Sequence, residues 1–323
     1  MHKNTKYILT AVYLIAGLLM AVPCRAGIVY VDNSEDSAGS GLVSLRDAIN
    51  ASNSDGVDTS ITWRYTGGLI SIVSGLPDIN GVTTLDVTNA ASAVTIYSPD
   101  DDFTLGLAGT ITIRNDNTAN PVSIAVILTS TGSLIKDGDG VLSLTKINTY
   151  SGGTVINNGT ISIAKDSALG SSAGTLTFDG GILQISDNVS SARSMILKSG
   201  GGAVDTNANC VFYLAGIVSG VGGLAKTGGG TLVLSGANTY TGGTTVSYGT
   251  LQAGADNALP SGGAVIVASG ADLALGAYTQ SIDSYSGAGK LAITLKSGVT
   301  NLAITNAATL TDGTLAVGIT PQI

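Results

Sequence analysis

Residues 134–169 slide onto residues 224–259 without a gap, and 17 of the 36 aligned positions are identical. A self-match of this length, 90 residues apart, constrains the fold more than any single motif, because repeats dictate architecture. What is kept is Gly, Leu, "NTY", "GGT" and "GT"; the kept residues with reacting groups are Lys136/Lys226 and Asp166/Asp256. Inside and around each copy, Gly-Thr-Leu or Gly-Thr-Ile opens short alternating stretches at Gly109, Gly159, Gly174, Gly230, Gly249 and Gly313. Alternation of this kind is that of strands four to six residues long, and it puts Leu232 and Leu234 on one side with Thr231 and Val233 on the other.

The spacing says how the strands are joined. Strand starts at Gly140, Gly159 and Gly181 are 19 and 22 residues apart, and Gly230, Gly249 and Ala271 repeat those steps. A second series, "GTVI" at 153, "GTLTF" at 174 and "SMILK" at 194, steps by 21 and 20. Coils of about 20 residues that bury their apolar faces only against their neighbours form a parallel β-helix. Such stacking places Leu142 over Ile161 over Leu183, with Leu144, Ile163 and Ile185 beside them, and stacks Leu232, Leu251 and Leu273. At about 20 residues per coil, residues 60–323 give roughly 13 rungs and a rod of ~60 Å. An immunoglobulin-type sandwich also yields short strands with frequent turns, but it does not produce coil-sized steps that recur.

Composition agrees with strands and tight turns. Glycine accounts for 45 of 323 residues, and of 22 acidic residues only Glu35 is a glutamate, the rest being turn-favouring aspartates. One segment departs from the strand pattern: "GLVSLRDAINASN" (41–53) sets Leu42, Leu45, Ala48 and Ile49 at helical spacing, with Ser44 as its cap. A short amphipathic helix there covers the otherwise open, aggregation-prone end of a β-helix. No counterpart covers the other end, where "TDGTLAVGITPQI" reads as another strand.

The N-terminus has the layout of a secretory signal peptide over 1–26: Lys3 and Lys6, an apolar run from Tyr7 to Val22, and a cut between Ala26 and Gly27. Residues 27–58 then form an N-terminal capping segment and 59–323 the β-helix. His2 is the only histidine, so removal of 1–26 leaves none, which excludes a Ser-His-Asp triad, a Cys-His pair and histidine-ligated zinc. Cys210 becomes the only cysteine and reads as a small buried hydrophobe. Eleven basic residues then face 22 acidic ones, which argues against a nucleic-acid partner.

Candidate chemistry is sparse. The run Asp100, Asp101, Asp102 reads as a solvated turn, since adjacent strand residues point to opposite faces and do not converge on one ion. "KDGDGVL" (136–142) hints at a calcium loop through Asp137 and Asp139, but the second copy reads "KTGGGTL", so what the position needs is glycine-like turn geometry. Arg46, Arg64 and Arg114 suit ordinary surface pairs with Asp47, Asp58 or Asp116, and Tyr150 and Tyr240 recur as packing or turn residues rather than, with Trp63, as a sugar-stacking strip. No residue is assigned to catalysis, to a cofactor or to a metal.

The repeated unit, "GGLAKTGGGTLVLSGANTYTGGTTVSYGTLQAGADNALP" (222–260), closely resembles the passenger-associated repeat of bacterial autotransporters, and 132–170 is similar to it. The segment 28–63, with "SLRDAI" at its core, resembles the start of secreted bacterial β-helix proteins. These resemblances imply an all-β protein, a right-handed single-stranded parallel β-helix with a short N-terminal capping helix. They also imply export to the cell surface, outer membrane or extracellular space, or to the periplasm if no translocator serves it. A non-enzymatic structural or adhesive role follows, with a host-surface or polysaccharide ligand as partner. Autotransporters carry an outer-membrane translocator barrel, and no segment after residue 275 has that pattern. The alternatives are a carbohydrate-active β-helix lyase or hydrolase, and a truncated passenger with no independent activity.

Overall fold

The computed structural model describes residues 28–31, 44–55, 59–63, 69–71, 76–81, 83–90, 92–99, 103–295, 300–311 and 313–319. The chain winds into an all-β parallel solenoid of about eleven turns with one short helix near the N-terminus. Every paired strand among the described residues runs parallel to its neighbour, within sheets of nine, twelve, seven and two strands. A coil with three strands visits three faces in order, whereas past Gly220 the strands alternate between two of them. The nine-stranded sheet forms the first face and the twelve-stranded sheet the second. The third position is taken early by the pair Thr104–Gly106 and Ile127–Thr129, and later by the seven-stranded sheet.

The register predicted from spacing is the register found. Leu142 pairs with Ile161 and Ile161 with Leu183, while Leu144, Ile163 and Ile185 stack beside them. Leu232, Leu251 and Leu273 stack likewise on the third face. All nine side chains are buried. Each such residue sits on an aliphatic of the coil below, so a buried leucine contributes ~1.5–3 kcal/mol only when the next coil is present. The coil count falls short of 13 because early coils are long: Ile70 to Ile96 takes 26 residues and Val94 to Val122 takes 28. At ~4.8 Å per strand, eleven steps give a rod of ~53 Å.

The helix Leu45–Asp55 lays Leu45, Ala48 and Ile49 on the core beside Ile61, Ile79 and Leu85. Its start is a capping box: the Asp47 N–H donates to Ser44 Oγ at 3.2 Å, and the Ser44 N–H donates back to Asp47 Oδ2 at 3.1 Å. Ser52 adds a buried hydroxyl bond to Thr83 at 3.1 Å. The strand Ile28–Val31, within the segment read as a cap, pairs with Thr59–Trp63 and so adds one more strand to the first face at the helix end. At the opposite end Leu310, Leu315 and Val317 are exposed, and no helix lies over them among the described residues.

The two self-matching copies do not sit above one another. In the first, the strands Leu134–Asp137 and Val141–Leu144 belong to the first and second faces. In the second, Leu224–Thr227 and Thr231–Leu234 belong to the second and third. Ninety residues are four coils and roughly one face more, so the second copy is turned by a third of a turn around the rod. The repeat therefore encodes a local strand–corner–strand unit that any edge of the three-sided prism accepts.

Candidate functional site

The polar residues kept between the copies are the natural candidates for chemistry, and the kept lysines, asparagines and tyrosines are buried. At the corner after the first strand, the Lys136 ammonium donates to the carbonyls of Asp137 (2.6 Å), Gly138 and Asn158 (3.5 Å). Lys226 does the same with Thr227, Gly228 (2.8 Å) and Tyr248 (3.2 Å). Gly138 and Gly228 have φ of 73° and 71°, the left-handed conformation that the corner demands and that "KDGDG" and "KTGGG" share. A Cβ on Gly228 would stand 2.3 Å from the Thr206 carbonyl oxygen, so glycine is required twice over. Burial pulls both ammonium groups down to a pKa of about 8, against nearby aspartates that pull the other way. No carboxylate pairs with either ammonium among these bonds. The lysine instead gathers the backbone oxygens of the corner, one of which, the Asp137 carbonyl, also accepts the Asn115 N–H at 3.1 Å.

The "NTY" segment fills a side of the coil where no strand forms. Asn148 accepts the Leu128 N–H at 2.8 Å from the coil below and donates to the Ala168 carbonyl at 2.6 Å in the coil above. Asn238 repeats this with the Val218 N–H at 2.7 Å and the Ala258 carbonyl at 2.6 Å. Each side-chain amide thus stands in for a missing backbone pair across two coil boundaries. Gln280 spans a single boundary instead, accepting the Leu259 N–H and donating to the Ala255 carbonyl, both in the coil below. Tyr150 and Tyr240, both fully buried, share hydroxyl bonds with Thr154 (2.7 Å) and Thr244 (2.6 Å). Burial pushes the Tyr150 phenol up to about 12 and raises Tyr240 further. These tyrosines pack inside the rod, as their recurrence predicts.

The kept carboxylates diverge. Asp166 accepts from Arg193 Nε at 2.9 Å, whereas Asp256 accepts the Thr279 N–H at 2.7 Å. Arg193, only 2% exposed, is a residue that sequence reasoning missed. Its remaining guanidinium donors reach the carbonyls of Asp166, Gly170, Ser171 and Gly174, which locks the 3₁₀ turn Asp166–Leu169 and its loop. Its position in "SSARSM" carries no signal, because four of its five partners are backbone oxygens.

The other candidates stay apart. Arg114 and Asp116 form an exposed pair at 3.0 Å, as expected. Asp47 belongs to the capping box, and Asp137 accepts a long bond from Asn158 at 3.4 Å. Among the described residues no group of three or more His, Cys, Asp or Glu converges on a metal-sized site. Asp100–Asp102, Asp58, Arg64, the Trp63 side chain and the Ala26/Gly27 cleavage site lie outside the described residues. Cys210 corrects an expectation: it is half-buried, not buried, because it ends a turn whose N–H bonds back to Asn207.

A stacked parallel solenoid whose repeated lysines and asparagines bond to its own backbone defines the class of protein: a repeat-built rod. The family model described as Passenger-associated-transport-repeat matches residues 134–163 and 224–253, the two copies described above. The chain is also 37% identical over 152 residues to the adhesin BmaC autotransporter of Brucella suis biovar 1 (strain 1330). That alignment covers 46% of this chain and 4% of the adhesin. No solved structure matches.

Proposed function

We propose that the chain is an exported, passenger-like rod with a structural or adhesive role and no catalytic activity. The observation that carries this reading is the fate of the repeated polar residues. Lys136/Lys226, Asn148/Asn238 and Tyr150/Tyr240 spend their hydrogen bonds on the chain's own backbone and on a neighbouring threonine. A repeated catalytic or ligand site would turn such groups outward. Similarity to part of an adhesin autotransporter supports display at the cell surface or outside the cell, and the signal-peptide layout of residues 1–26 supports export.

The test has two arms. Intact cells producing the chain are labelled with an antibody against it, and the purified chain is tested for retention on host-cell surfaces and immobilised polysaccharides. Surface labelling with saturable retention is the expected result. Depolymerisation of a pectin-like or other polysaccharide by the purified chain would instead favour the carbohydrate-active reading and overturn this one.

A further inference from the structure

Between the second and third faces, two stacked early coils turn the same corner differently. In the lower one the chain runs from Ser98 to Phe103 between the strands Val94–Tyr97 and Thr104–Gly106. In the coil stacked on it a single residue, Val126, joins Val122–Ala125 to Ile127–Thr129. At this corner lies a cavity of about 50 Å³, lined by Ser98, Phe103, Ala125, Val126, Ile127 and, from the next coil up, Lys146. Ser98 continues the inward alternation of Val94 and Ile96 and is 4% exposed. Its hydroxyl has no hydrogen-bond partner among the described residues. A buried hydroxyl left unsatisfied beside an open space calls for an occupant.

The walls say what that occupant is. At ~10–15 Å³ per water-sized sphere, the cavity holds about four non-hydrogen atoms. Ordered water suits it poorly, because water needs several polar partners and Phe103, Ala125, Val126 and Ile127 are apolar. Lys146 brings only donors and Ser98 can donate, so the complement is one acceptor on an otherwise apolar group. That group is neutral. Lys146 in the wall repels a cation, while an anion meets a chain of net charge −8 with Asp100, Asp101 and Asp102 next in sequence to the rim. We infer that the cavity takes the acetamido group of an N-acetylated sugar, its carbonyl oxygen accepting from Ser98 and its methyl packed on Phe103 and Val126. An acetamido group has about four non-hydrogen atoms, which matches the space. The inference rests on the adhesive reading above: an exported rod meets this group on a surface glycan, whose ring is too large for the cavity and stays at its mouth.

Saturation-transfer NMR of the purified full chain with the methyl glycosides of N-acetylglucosamine and of glucose tests this. The acetamido sugar should bind in the millimolar range with its acetyl methyl the most strongly saturated group, and the glucoside should show no transfer. Ser98→Ala removes only the orphan hydroxyl, so it should keep the wild-type thermal midpoint while weakening binding by about fivefold or more. Ala125→Leu fills the cavity from its wall and should abolish binding with an unchanged circular dichroism spectrum. No transfer to the acetamido sugar, equal transfer to the glucoside, saturation confined to ring protons, or a Ser98→Ala variant that binds like wild type would each overturn the inference. Retention of the chain on host-cell surfaces alongside any of those results removes the acetamido site alone and leaves the adhesive role standing.

Discussion

At the scale of single residues, the buried polar groups set how stability depends on pH. Lys136 and Lys226 keep their protons to the ordinary 10.5 when unfolded but lose them near 8 when folded. Between those values the unfolded chain binds more protons, so stability rises with pH from about 8 towards 10. Above 10 the sign reverses, because unfolded tyrosines ionise while Tyr150 holds its proton to about 12. Thermal midpoints should therefore peak near pH 10, and Lys226→Met should flatten the rise between 8 and 10 by about half. Arg193→Lys makes a second test. An ammonium has three donors against the five that the guanidinium spends on Asp166, Gly170, Ser171 and Gly174. A loss of about 2–4 kcal/mol is expected, with limited proteolysis shifting to the loop 166–174. Such partners are invisible in a sequence. "NTY" could be seen to recur, but the Ala168 and Ala258 oxygens that make Asn148 and Asn238 indispensable belong to the backbone, whatever residue carries them.

At the scale of elements, much was legible. Alternation with steps of 19 and 22 residues placed Leu142, Ile161 and Leu183 in contact because the strand period and the coil length together leave one register. The helix and its Ser44 cap were legible for the same reason, a change of period flanked by a capping residue. Ser44→Ala should cost about 0.5–2 kcal/mol and appear first as faster amide exchange in Leu45–Ala48, ahead of the coils. The third face was not legible. Its side of the coil is built from strands in some turns and from Asn-bridged segments in others, so no single spacing runs through it. Cys210 failed by being judged from composition, when its turn position decides its exposure.

At the scale of the whole molecule, the rod is a sum of coils, each stabilised by its two neighbours. Ala203 pairs with Ala225, so removing residues 203–224 deletes one complete turn in register. That deletion should fold into a rod shorter by ~4.8 Å, as judged by small-angle scattering. Removing only 203–213 puts every later strand on the wrong face and should leave the upper coils unfolded. The third-of-a-turn offset between the two copies follows from the same logic, since a repeat that tiles a prism needs matching corners and not a matching face. The central claim is that the residues kept between the copies hold coils together. Urea unfolding of Asn148→Ala and Asn238→Ala, side by side, tests it most directly. Each substitution strands one buried N–H and one buried carbonyl, and each should lower stability by about 2–5 kcal/mol. Wild-type stability in both variants, with binding to a surface ligand abolished, would contradict it.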